Sequence, residues 1–178
     1  MRLAPDLGIP EVKPAIEMLR GRRVQKMSPQ TRHSILQMRM AVILDAWAPG
    51  RGTVGTEWRF YLLPPNERPS SLVPDVAFVA SERLPREAGP AREKPAFAPD
   101  IAVEILSPDD RDSDVAEKTA LYLANGGSLV VIVDPATERI VCHECDRSAT
   151  FERGEVAHST RFEDLHLDVA AVFDSASP

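Results

Sequence analysis

No stretch of this 178-residue chain approaches the roughly 18 consecutive apolar residues that a membrane-spanning helix requires. Met1 to Pro10 holds one arginine and no apolar core, so no signal peptide is expected and the cytoplasm is the expected compartment. Cysteine is scarce: Cys142 and Cys145 stand in Val-Cys-His-Glu-Cys-Asp. One Cys-x-x-Cys is half of a zinc ribbon, and no second pair exists to complete it. On a strand, residues three apart point to opposite faces, so the pair reads as ordinary reduced cysteines rather than a zinc or redox site. An excess of basic residues is also missing. Lys and Arg number 21 against 27 Asp and Glu, a net charge of −6. That argues against a protein that coats nucleic acid non-specifically, because such binding rests on neutralising phosphates. An enzyme acting on DNA stays open, since local patches matter more than the total. Arg20, Arg22, Arg23 and Lys26 form one such patch, and it reads as a solvated hairpin rim in preference to a phosphate-binding face.

The length suits one domain with a sizeable core. Residues 1–14, with three prolines, form an N-terminal arm; residues 15–174 form the domain; residues 175–178 are a tail. Ile16 to Met27 reads as the end of a short helix, a turn at Gly21 and a strand from Val24. Ser28 as N-cap and Pro29 at the first helical position open a long helix to Trp47, with Ile35, Met38, Val42, Leu44 and Trp47 at helical spacing. Ala48-Pro49-Gly50 stops it. Val54–Leu63, rich in aromatic and branched residues, reads as a strand. A second strand follows at Val73–Val79, then an exposed loop over 85–98. Ile101–Leu106 is a strand apolar on both faces, as central strands are. Val115–Asn125 is a helix, with Asp112, Ser113 and Asp114 as N-cap choices and Gly126-Gly127 as its end. Leu129–Val133 is another apolar strand. Arg139–Glu144 and Ala149–Glu152 continue the sheet as a meander, and Leu165–Phe173 is a short last element. The strand, helix and strand over 101–133 make a βαβ unit, hence an α/β fold with a mixed central β-sheet flanked by helices.

Glu104 stands alone among Ala102, Val103, Ile105 and Leu106. A carboxylate in such a strand is costly unless a metal, a cation or a raised pKa compensates it. Alternation places Asp100, Ala102, Glu104 and Leu106 on one face, and Asp75, Ala77 and Val79 on one face of the preceding strand. The small residues two positions from each acid leave room for an ion and a phosphate. Hard oxygen ligands of this kind suit Mg2+ or Mn2+. Such an ion would polarise a phosphodiester and activate a water, with Lys118 stabilising the charge that develops. Other roles stand beside these. Asp75 after a proline can cap backbone amides, Asp100 can be a turn residue or an outer support, and Lys118 can pair with Asp114 on the surface. By this reading Lys118 lies in the first turn of its helix, where a cation meets the macrodipole unfavourably.

Pro-Asp-Val-Ala-Phe-Val at 74–79, Asp-Ile-Ala-Val-Glu-Ile-Leu-Ser-Pro at 100–108, Glu-Lys-x-x-x-Tyr at 117–122 and Val-Val-Ile-Val-Asp-Pro at 130–135 together resemble the Uma-type restriction endonuclease family of the PD-(D/E)xK nuclease superfamily. Glu17, Gly21, Met27-Ser28-Pro29 and His33 are similar to the family's opening segment, so the resemblance runs from about residue 15 to 174. It implies a restriction-endonuclease-like core and a divalent-metal site. Asp75 and Glu104 would be the metal-binding acids, Lys118 the catalytic lysine, and DNA the substrate. The superfamily's lysine two residues after the glutamate is Leu106 here, so Lys118 supplies the amine from the following helix. Glu17 is a further candidate carboxylate, and His33 is read as a helix-surface or capping residue outside the catalytic set. A homodimer is expected by analogy, because nucleases of this fold often cut both strands. The competing reading is a catalytically inactive nuclease fold that binds nucleic acid or a protein partner.

Overall fold

The chain opens on a hairpin rather than on the expected helix end. In the computed structural model, which describes residues 6–28, 30–64, 66–84, 89 and 92–174, β1 (Ile16–Leu19) pairs antiparallel with β2 (Arg22–Gln25). The turn between them has Arg20 and Gly21 at φ 43° and 82°, the two positive values in sequence that a two-residue type I′ turn requires. A side chain at Gly21 would also meet Arg68 Cδ at 3.1 Å. Glu, Met and Leu in β1 have helical propensity, but pairing on both edges, with β2 and with β5 (Ser70–Leu72), overrides it.

Helix α1 (Thr31–Trp47) follows, with Gln30 rather than Ser28 at its N-cap; the expected role of Pro29 lies outside the described residues. The buried stripe of α1 is Leu36, Met40 and Leu44, while Ile35, Met38 and Val42 are 41%, 61% and 62% exposed. Apolar residues occur all round this helix, so periodicity selects its buried face poorly. The single strand expected over Val54–Leu63 is two, β3 (Gly52–Thr56) and β4 (Phe60–Leu62), and they enter different sheets. The break falls at Glu57, whose φ of 49° is incompatible with a continuing strand. The chain then forms β6 (Val76–Ala80), β7 (Ile101–Ile105), α2 (Asp112–Ala124), β8 (Leu129–Asp134), β9 (Arg139–His143) and β10 (Ser148–Phe151). A small ribbon of β11 (Val156–His158) and β12 (His166–Asp168) leads into α3 (Val169–Phe173). The N-cap of α2 is Arg111, so Asp112, Ser113 and Asp114 lie inside its first turn instead of capping it.

The central six-stranded sheet runs β10-β9-β8-β7-β6-β3, and a four-stranded sheet runs β2-β1-β5-β4. Within the central sheet β7 and β8 are parallel and the other pairs antiparallel. The sheet is therefore mixed, with α2 as the crossover. Alternation along β7 divides the core. Ile101, Val103 and Ile105 face a large cluster that includes Leu36, Met40 and Leu44 of α1 and Val169, Val172 and Phe173 of α3. Ala102 faces the other way, toward Leu121 and Tyr122 of α2 and toward Leu19, Leu62 and Leu72 of the smaller sheet. Glu104 shares that second face. No helix among the described residues is long and apolar enough to cross a membrane.

Candidate active site

Asp75 sits one residue before β6 and is fastened at both ends. Its backbone N–H donates to Val103 O at 3.0 Å, and Gln37 of α1 donates to its backbone carbonyl at 3.0 Å. Its carboxylate is 2% exposed as a residue and accepts the Ile105 N–H at 2.7 Å and the Lys26 ammonium at 2.7 Å. His33 Nε2 lies 3.4 Å from its Oδ2. Burial alone would raise this acid, but Lys26 and then His33 outweigh it and hold Asp75 well below the usual carboxylate range.

Glu104 reaches the same cleft from β7. Its Oε1 accepts the Tyr122 hydroxyl at 2.7 Å and its Oε2 accepts the Lys118 ammonium at 2.9 Å. Lys118 also lies 2.8 Å from Glu17 Oε2, and the Val73 N–H donates to Glu17 Oε1 at 2.7 Å. One ammonium is therefore shared by two buried carboxylates. Burial and the unequal count of charges together set both shifts. Burial lowers Lys118, but Glu104 and Glu17 more than restore it, so it is raised. Burial raises Glu104, and Glu17 adds to this against the pull of Lys118.

These contacts decide the readings that spacing left open. Lys118 turns inward, and Asp114 pairs with Arg22 at 2.6 Å instead. Because α2 begins at Asp112, Lys118 lies in the second turn and escapes the macrodipole cost expected of it. Asp100 is structural: it accepts the Ala80 N–H at 2.8 Å and the Arg83 guanidinium at 2.8 Å. Cys142 is buried and Cys145 exposed, and burial pushes the Cys142 thiol up to about 12. The basic patch is corrected in one member. Arg20 and Arg22 stay on the rim, paired with Glu117, whereas Lys26 goes inward to Asp75 and to Val73 O at 2.8 Å. His33 is also corrected: it stands against Asp75 in the cleft, with Nδ1 buried and unpartnered among the described residues.

Glu17, Asp75, Glu104, Lys26, Lys118 and His33 all line one cleft of about 330 Å³. Its donors are carboxylate oxygens, the chemistry that Mg2+ or Mn2+ takes. Among the described residues no three His, Cys, Asp or Glu side chains converge on one point as they stand; Lys118 stands between Glu17 and Glu104, and Lys26 is paired with Asp75. Each paired oxygen has spare lone-pair capacity, so the donor set fits a hard divalent cation once an ammonium gives way.

A mixed sheet flanked by helices, with acids on adjacent central strands, is the architecture of restriction-endonuclease-like proteins. A family model described as "Putative restriction endonuclease" (Uma2) matches residues 6–170, and the chain belongs to that family. A crystal structure described as a "putative nuclease" from Anabaena variabilis matches with a TM-score of 0.83 and 28% identity over 94% of both chains. No curated protein matches the chain.

Proposed function

We propose that the protein is a metal-dependent endonuclease that hydrolyses DNA phosphodiester bonds. One observation carries this reading: Glu17, Asp75 and Glu104, from three separate segments, meet two lysines in one cleft. Burying these charges together costs more than apolar packing would, and such costs concentrate where chemistry is done. Family membership and the nuclease-like structural neighbour support the same class of activity.

In this reading Asp75 and Glu104 hold Mg2+ or Mn2+, with Glu17 as a further oxygen donor. The ion, when bound, supplies Lewis-acid polarisation of the phosphate and acidifies a water. The chain's own residues do the rest. Lys118, released from the two acids, places a positive charge where negative charge grows on the phosphate oxygens. Lys26 and the Ile105 N–H fix the Asp75 carboxylate, and Tyr122 fixes Glu104. Cutting both strands of a duplex would take two such sites, hence a homodimer.

The test is Mg2+ and Mn2+ binding by calorimetry on the wild type and Glu104→Ala, followed by plasmid cleavage with the same pair. Binding and nicking by the wild type, both lost in the variant, is the expected result. The second reading, a nuclease fold that binds without cleaving, draws on Lys118 standing between Glu17 and Glu104 and on Lys26 paired with Asp75. It requires a correctly folded wild type that neither binds the ion nor nicks DNA.

A further inference from the structure

Beside the acidic cleft lies a second cavity of about 540 Å³. The two are contiguous: His33, Leu106, Ser107, Asp110 and Val115 line both. Their chemistry differs. The cleft presents Lys26 and Lys118, with Arg22, Arg23 and Arg111 around them. The second cavity has a floor of Leu106, Pro108, Val115, Ala116, Pro135 and Ala136, and its acids are Asp110, Asp112 and Asp134. Its one arginine, Arg32, is tied to Glu138 at 2.6 Å. Asp112 has neither an ion pair nor a side-chain hydrogen bond among the described residues.

A phosphate entering the second cavity would meet negative charge on an apolar floor. A neutral planar group with hydrogen-bond donors would meet apolar contact and one open carboxylate, Asp112, because Asp110 accepts the Ser107 N–H and Asp134 accepts the Ala136 N–H and the Thr137 hydroxyl. A nucleotide carries both kinds of group, a phosphate and a base, joined by one sugar. We propose that this cavity is a nucleobase subsite for an unpaired nucleotide whose phosphate occupies the cleft, and that it prefers amino-bearing bases to thymine. The preference follows from the Asp112 carboxylate, which accepts from an exocyclic amino group such as cytosine N4, whereas thymine's single N3–H is flanked by O2 and O4, whose lone pairs repel a carboxylate. The unpaired state follows because a base stacked in a duplex has to leave its neighbours to enter a lateral cavity. The proposal rests on the nuclease reading and adds the local structure of its substrate.

The test is an amide chemical-shift titration of the full chain in magnesium buffer with deoxyribose 5-phosphate, dCMP and dTMP. Deoxyribose 5-phosphate is expected to shift amides around Val24 and Lys118 alone. dCMP is expected to shift Ala116 and Ala136 as well, and to bind about three- to tenfold tighter than dTMP, the value of one exposed hydrogen bond. Ala116 is an exposed helical position, so Ala116→Trp should fold while filling the cavity. It should remove the advantage of dCMP over deoxyribose 5-phosphate. Equal affinity for dCMP and deoxyribose 5-phosphate, with Ala116 and Ala136 unmoved, would overturn the subsite and leave the phosphate site standing. Equal affinity for dCMP and dTMP would overturn the amino preference. Base-dependent binding by a protein that never nicks DNA would keep the subsite and sink the nuclease reading instead.

Discussion

Lys26 and Asp75, 49 residues apart in the chain, meet at 2.7 Å in the wall of the cleft. The contact joins the residue just past β2 to the head of β6, so it fastens the smaller sheet to the central one. It also fixes how Asp75 responds to acid. A carboxylate held below its ordinary value contributes stability that is present above about pH 4 and is lost as pH falls further.

Lys26→Met removes the chief cause of that depression and leaves a buried acid with His33 and one backbone N–H. The variant should lose about 3–5 kcal/mol at pH 7, as when one member of a buried pair is deleted. The deficit should hold down to about pH 4 and narrow as pH falls further, because the wild type surrenders the Asp75 contribution there and the variant has none to surrender. Urea midpoints at pH 7, 5 and 3 check this, and a deficit constant with pH would contradict it.

Lys118→Met leaves Glu17 and Glu104 facing each other without a cation. The expected cost is again about 3–5 kcal/mol. Adding Glu104→Gln should recover part of it, because one of the two like charges is then gone. A double-mutant cycle should give a coupling of about 1–3 kcal/mol between these positions. Additive effects would mean that the shared ammonium does not link the two acids.

Much of this was legible in the sequence. Glu104 stood out as the lone polar residue in an apolar strand, and the strand, helix and strand over 101–133 gave the parallel pair and the inward face of Lys118 as one of two readings. What stayed hidden depends on tertiary contacts. Ile16–Leu19 has helix-forming side chains, so only its pairing partners reveal a strand carrying Glu17. Lys26 was concealed among three arginines. The signal that could have found it is period two: Val24 is the one apolar residue of β2, and Lys26 continues its face. The helix α1 offered apolar residues on most sides, and the exposed Met38 and Val42 have the same four-residue spacing as the buried Leu36 and Met40, so spacing alone could not choose the face.

Glu104→Gln separates stability from chemistry. Burial, with the like charge of Glu17, raises this acid, so its ionised form opposes folding above the ordinary carboxylate range. That disadvantage fades as pH falls toward it. A neutral glutamine removes it at pH 7. Stability is therefore expected to rise by roughly 1 kcal/mol, or about 2–4 °C in Tm for a chain of this size, and the gain should close as pH is lowered to about 5. Nuclease activity should disappear in the same variant. Calorimetric scans at pH 7 and 5 alongside plasmid nicking check both halves. A fall in Tm at pH 7 would show that the Lys118 contact outweighs the burial of the charge.

Tyr122→Phe tests whether the orientation of Glu104 matters apart from its charge. Tyr122 is fully buried against the second core cluster, and phenylalanine preserves nearly all of its volume, so packing should survive. What is lost is the hydroxyl that donates to Glu104 Oε1 at 2.7 Å. A buried carboxylate oxygen without its donor costs about 1–3 kcal/mol, which urea denaturation will measure. The free carboxylate can then rotate within the cleft, and a small misplacement of a reacting group is expensive in rate. The turnover rate should fall about tenfold or more, with little change in KM, since Tyr122 does not line the cleft where substrate binds. A variant that loses stability but keeps full turnover would assign Tyr122 to the core alone and leave Lys118 as the group that positions Glu104.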